Sequence, residues 1–225
     1  MNFDFNQSTN ECIVSDKVLL TGWIRGKNNV VTIEEPTHEC KLDLRISGNG
    51  NRVTIRKPFA IKGLNIRIGN HVLTHDAECL IGNGFSIEGG GNFLLYNSGN
   101  KLHIGERCMF SNTITVRCGD SPHLLFDRIT GEYLDISDGV FIGDHVWVGE
   151  RVYITKRATI PSECLVAACA VVTRQFTQTH AVMAGNPAKI VRENVQWIRN
   201  HAQFEAGTPY KASYQARLDK FKEHL

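Results

Sequence analysis

From Ile136 to Val172, apolar and polar positions recur every six residues. Ile136, Ile142, Val148, Ile154, Ile160, Val166 and Val172 form one aliphatic series. Four places after each of the first six comes a compact side chain: Val140, Val146, Val152, Ala158, Cys164 and Ala170. A period of six matches neither a helix nor a single strand. Three hexapeptides can instead close one triangular coil, each giving a short strand to a different parallel sheet. The aliphatic then points inward on every face, the small residue fits near each corner, and coils stack about 4.8 Å apart. The pattern predicts a parallel β-helix.

Upstream the pattern is looser. Short β-rich runs such as Val30–Ile33, Leu42–Ile46, Val53–Ile55 and Leu64–Ile68 alternate with Gly, Asn and Pro, as degenerate coils near the end of a solenoid do. The spacing predicts a lead-in over 1–20 with an entry strand at Ile13–Leu20, the β-helix over 21–175, and a turn with helices over 176–225. Val116 and Ile136 are not separated by a multiple of six, so the chain leaves the coil in an excursion loop, 118–135. Loops projecting from a rigid repeat are favoured places for function. Past Thr173 the repeat stops. Helical spacing is expected from Glu193 to about Gln203 (Val195, Ile198, Ala202) and from Ala212 to Leu225, with Leu218 and Phe221 facing inward. Such an element is expected to cover the last open coil edge.

Composition narrows the class. The chain has 225 residues, 42% hydrophobic and 21% charged, with a net charge of +2. That is a globular balance. No apolar run approaches the roughly 20 residues of a membrane span, and Met1–Asn10 is polar with no secretory apolar core. The seven cysteines include Cys108 and Cys164, which serve as compact apolar filler. These features predict a cytoplasmic protein with reduced thiols. No residue set suggests a metal.

The repeat resembles the left-handed β-helix of hexapeptide-repeat acyltransferases. Val146-Trp147-Val148-Gly149, then Val166-Ala167-Ala168 through Val171-Val172-Thr173, then Ala184-Gly185-Asn186-Pro187-Ala188-Lys189 recur in that order in its sugar and capsule O-acetyltransferases. The long degenerate N-terminal half and Ser121-Pro122-His123 look most like bacterial polysialic acid capsule O-acetyltransferases. The resemblance implies the left hand of the helix, an all-β fold with a short C-terminal helical segment, and acetyl-CoA as co-substrate without a metal. It also implies a homotrimer in which His123 of one subunit faces Trp147 of the next.

His123, on the excursion loop, matches the family's general base. A hydroxyl attacks a thioester efficiently only when a base takes its proton, and histidine with an unperturbed pKa of about 6.5 suits that task. The alternative is a surface histidine. Asp127 or a backbone carbonyl is the expected group to orient its ring. Trp147 occupies an outward place in its hexapeptide; by resemblance it lines the acetyl-CoA channel, with burial between subunits as the plainer role. The Gly149-Glu150 peptide matches the oxyanion donor, although many relatives carry a small or hydroxyl residue where Glu150 stands. Ala168 and Thr173 match contacts to the pantetheine arm, while Ala167-Ala168-Cys169 replaces a frequent Gly-Ala-Gly. Arg174, Lys189 and Arg192 match cations that meet the CoA phosphates, or are solvated surface charges.

The acceptor leaves one trace. Lys41–Arg67 holds seven Lys or Arg against one acid, Asp43, which is either a stripe for a polyanion or a solvated rim. Without aromatic stacking sets or a reading helix, nucleic acid is not expected. Three function readings follow: O-acetylation of a capsular polysaccharide such as polysialic acid, O-acetylation of a small free sugar, amino acid or antibiotic, and a non-catalytic scaffold. A γ-carbonic anhydrase is disfavoured because His71, His75, His103 and His145 lack the paired spacing of its metal ligands.

Overall fold

The computed structural model describes residues 2–69 and 71–222. Parallel pairing carries the chain around a three-sided coil. Face one is a seven-stranded sheet: Glu11–Val14, Val30–Ile33, Arg52–Ile55, Glu78–Ile81, Lys101–Ile104, Gly139–Ile142 and Thr159–Ile160. Faces two and three join in a fourteen-stranded sheet among the described residues. They join because Val18–Arg25, Cys40–Ser47 and Ala60–Ile68 run unbroken across the corner between them. Beyond those strands face two continues through Ser86–Gly89, Met109–Asn112, Trp147–Val148, Leu165–Val166 and Val182–Ala184. Face three continues through Gly91–Leu95, Thr115–Arg117, Tyr153–Ile154 and Val171–Val172.

The period-six aliphatics fill the interior. Ile142, Val148, Ile154, Ile160, Val166 and Val172 are all buried, and so are the compact residues Val140, Val146, Val152, Ala158, Cys164 and Ala170. In-register pairing stacks like on like, as in the column Ile61, Ile87, Phe110, Val148 and Val166. Inside the coils Phe85, Phe93 and Phe110 meet edge to face, with centroids 5.1–6.4 Å apart, a geometry their ring quadrupoles favour.

Corners have their own chemistry. In the regular coils His145, Arg151, Arg157, Glu163 and Cys169 take left-handed φ of 50°, 57°, 65°, 63° and 61°. Each donates its N–H to a carbonyl of a preceding coil, as Cys169 does to Glu150 at 2.8 Å and Arg157 to Gly139 at 2.9 Å. In the longer N-terminal coils buried asparagines do this work. Asn29 Nδ2 donates to Asn10 Oδ1 at 2.9 Å, and Asn51 Nδ2 to Asn29 Oδ1 at 2.9 Å and to Thr74 O at 2.9 Å.

Two expectations change. Ile136 is 61% exposed; the chain returns to the coil only at Gly139, where φ is 135° and a Cβ would lie 1.7 Å from Lys101 O. The lead-in is itself stranded, for Asn2–Asp4 pairs with Thr21–Trp23 and Glu11–Val14 with Val30–Ile33. No helix forms at 193–203 apart from a 3-10 turn at His201–Gln203. Lys189–Arg192 instead turns back antiparallel on Val182–Ala184, and Asn194, with φ of 55°, leaves that strand in a conformation no helix continues. This hairpin ends the large sheet within the coil unit. Among the described residues one α-helix spans Tyr210–Lys222. Its Leu218 is half-buried, and the Phe221 side chain lies outside the described residues. Residues 196–225 form a compact unit separate from 1–195. Among the described residues no helix is long and apolar enough to cross a membrane.

Candidate active site

The excursion loop leaves face three after Arg117 and rejoins face one at Gly139. It therefore stands on the corner between those faces, opposite face two. Its stem is tied by polar groups. Asp135 is buried, at 2% exposure, and accepts from Asn97 Nδ2 at 2.9 Å and from the Asp120 N–H at 3.0 Å. Lys156, from the next coil, bridges the carboxylates of Asp120 and Asp135. Asn97 Oδ1 accepts the Ser121 N–H at 3.1 Å. Ser137 Oγ donates to Cys118 O at 2.8 Å, and Arg157 Nη2 to Leu134 O at 2.8 Å. Burial acts to raise the Asp135 carboxyl, but the Lys156 ammonium and the donors on Asn97 and Asp120 outweigh it and hold the group below the usual carboxylate range.

His123 sits two residues beyond this anchor. It is exposed, with its N–H on Asp120 O at 3.1 Å. Asp127 does not orient its ring. The carboxylate instead accepts the N–H groups of Ile129 at 2.8 Å and Thr130 at 2.7 Å, and these donors, Thr130 foremost, hold its pKa down. Asp127 is thus a turn cap within the loop.

Trp147 lies on face two, half-buried between Met109 and Leu165 in the stacked register. Gly149 is fixed by packing: its N–H donates to Val166 O at 2.8 Å, and a Cβ would sit 2.6 Å from Ala168 N. The Glu150 N–H has no acceptor among the described residues, and the exposed Glu150 carboxylate lies 3.5 Å from Arg151. Ala168 is exposed on the same edge. Thr173 and Arg174 come after the last face-three strand, on the corner that the loop shares. Arg174 and Lys189 line one open cleft of about 410 Å³ together with Phe176 and Ile190. The Arg174 guanidinium lies 5.3 Å from the Phe176 ring centre. Arg192 is exposed on the hairpin.

Two expected groups thus come together in part. Trp147, Gly149, Glu150 and Ala168 follow one edge, and Arg174 and Lys189 share a cleft. The stem carrying His123 stands on the opposite side of the coil from Trp147. Other histidines engage neighbouring coils: His103 meets Glu78, His145 Nδ1 lies 2.6 Å from Glu163, and His75 Nδ1 accepts from Asn49 N at 3.2 Å. Sequence reasoning missed Asn97, Asp135 and Lys156. They come from three different coils, and no periodicity joins them; Asp135 alone, a carboxylate at the loop's return to the core, offered a signal.

No protein-family profile matches the chain. Among solved structures it is similar to the polySia-specific acetyltransferase NeuO, at 26% identity over 96% of this chain and 97% of that one, with a TM-score of 0.78. It is also similar to the polysialic acid O-acetyltransferase OatWY, at 22% identity over 96% and 98%, with a TM-score of 0.65. The second likeness establishes a common fold. The first runs through nearly the whole of both chains and supports acetyltransferase activity.

Proposed function

We propose that this chain is a hexapeptide-repeat O-acetyltransferase that moves the acetyl group of acetyl-CoA to a hydroxyl of a sialic acid polymer or a related capsular glycan. The observation that carries this reading is the likeness to a polySia-specific acetyltransferase from one end of the chain to the other. The loop histidine supplies the chemistry. His123 Nε2 or Nδ1 takes the proton of the acceptor hydroxyl as its oxygen attacks the thioester carbonyl. The tetrahedral oxyanion accepts from the free Glu150 N–H. Collapse expels the CoA thiolate, which leaves with a proton, and no acetyl-enzyme forms. Trp147 flanks the thioester, Gly149 and Ala168 leave room for the pantetheine arm, Thr173 borders it, and Arg174, Lys189 and Arg192 meet the phosphates.

The reading requires a second copy, because one coil holds the His123 stem and Trp147 on opposite sides. The loop also carries apolar side chains open to solvent, among them Leu124 at 65%, Phe126 at 51% and Ile129 at 94% exposure. Such a cluster fits a subunit contact, and a closed three-fold ring sets each loop against its neighbour's face two.

The test is NMR analysis of products after incubating the protein with labelled acetyl-CoA and polymeric, oligomeric or monomeric sialic acid. O-acetyl signals on polymer or oligomer are expected. Transfer to monomer alone would favour a small free acceptor, and no transfer together with no CoA binding would favour a scaffold.

A further inference from the structure

We propose that Asp135, Lys156 and Asn97 are positioning residues that hold the loop bearing His123 in its working place, an inference that rests on the acyl-transfer reading above. Stability alone does not account for them. A buried ion pair is often no better for folding than well-packed apolar residues of similar volume, and among the described buried residues Asp135 is the one that carries a charge. Here a carboxylate at 2% exposure is retained.

Its partners are chosen to tie the loop's two ends. Asp135 belongs to the returning arm of the loop, yet it accepts the N–H of Asp120 on the outgoing arm at 3.0 Å. Lys156 holds the Asp120 and Asp135 carboxylates together from the coil beyond. Asn97, from the coil before, donates to Asp135 at 2.9 Å and accepts from Ser121 at 3.1 Å. A Cβ on Gly119 would stand 2.2 Å from Asn97 Oδ1, so the chain passes close against this side chain. Three coils thereby converge on the backbone two residues from His123. The His123 N–H closes the turn onto Asp120 O at 3.1 Å. Displacing a catalytic group by about 1 Å can cost roughly a hundredfold in rate, which is why such a tether matters for a base on an otherwise exposed loop.

The experiment compares wild type with Lys156→Met, which removes the ammonium, Lys156→Arg, which keeps a cation, and Asn97→Ala, which releases Ser121. Steady-state acetyl transfer and hydrogen–deuterium exchange are both read. Lys156→Met and Asn97→Ala are expected to lower kcat roughly tenfold to hundredfold while KM for acetyl-CoA stays within about twofold, and Lys156→Arg is expected to recover most of the loss. Amides of 118–124 should exchange faster in the two damaging variants, and those of 147–172 at the wild-type rate. Should Lys156→Met fail to fold, Asn97→Ala carries the same comparison. Unchanged kcat despite a loosened loop, unchanged loop exchange, or a loss confined to KM would overturn the proposal. A wild type that transfers no acetyl group sinks the acyl-transfer reading instead, and the exchange data then still decide whether the network holds the loop.

Discussion

Five corner residues of the regular coils occupy backbone space that suits glycine, and Cys169 does so with an exposed side chain. An L side chain in the left-handed region costs about 1–2 kcal/mol, part of which glycine returns through its greater unfolded-state freedom. Cys169→Gly is therefore expected to raise unfolding free energy by about 0.5–1 kcal/mol in urea titrations. Asn51 works in the opposite sense. Its replacement by alanine would strip Thr74 O and the Ala77 N–H of partners. Each orphaned buried group costs about 1–3 kcal/mol, so denaturant titration should show a loss of at least ~2 kcal/mol. His123→Ala tests chemistry rather than folding. Loss of a general base commonly costs about 10²–10⁴-fold, and the rate of acetyl transfer should fall by that order with the melting temperature unmoved. Near-normal transfer would remove His123 from the mechanism.

Among elements, the excursion loop depends on charge more than on the apolar core. The Asp135 carboxyl titrates below its ordinary value in the folded chain. A group so depressed adds stability that is fully present above its unfolded pKa, about 3.9 for aspartate, and is lost as pH falls through the lower folded value. The stem should therefore loosen as pH is lowered from about 5, above the unfolded value, to below the depressed folded value, while the coils persist. Limited proteolysis or exchange across 118–138 reads this directly. Equal protection at both ends of that range would mean the ion pair is not what ties the stem. The loop was legible in the sequence as a break in the six-residue period, but its return was placed too early, at Ile136. That residue has the right side chain in the right register, yet it is exposed because Gly139, not Ile136, meets the close passage of Lys101.

At the scale of the molecule, five cysteines are buried and Cys169 is exposed. Burial drives the Cys40 and Cys79 thiols up to about 12 and Cys118 upward as well, and the thiolate is the reactive form. A thiol reagent at about pH 8 should label Cys169 promptly, half-buried Cys12 more slowly, and the five buried thiols only after unfolding. Prompt labelling of those five would show that the coil stack breathes open. Assembly is the other test at this scale: sedimentation should report three copies, and a fully active monomer would contradict the intersubunit site.

The sequence by itself determined the coil. A six-residue period of aliphatics can bury itself only by closing a three-sided turn, so Ile142 through Val172 were readable as core without any knowledge of their neighbours. It also marked the place where the chain departs from that turn, and His123 upon it. It did not determine the hairpin that ends the sheet, where helical spacing after Glu193 yielded to strand pairing with Val182–Ala184. Nor did it reveal the Asn97–Asp135–Lys156 tie, and only the resemblance to a trimeric family implied that His123 and Trp147 stand apart within one chain. Those depend on which rungs stack and on which corner the loop leaves, and stacking brings together residues whose distance along the chain carries no signal.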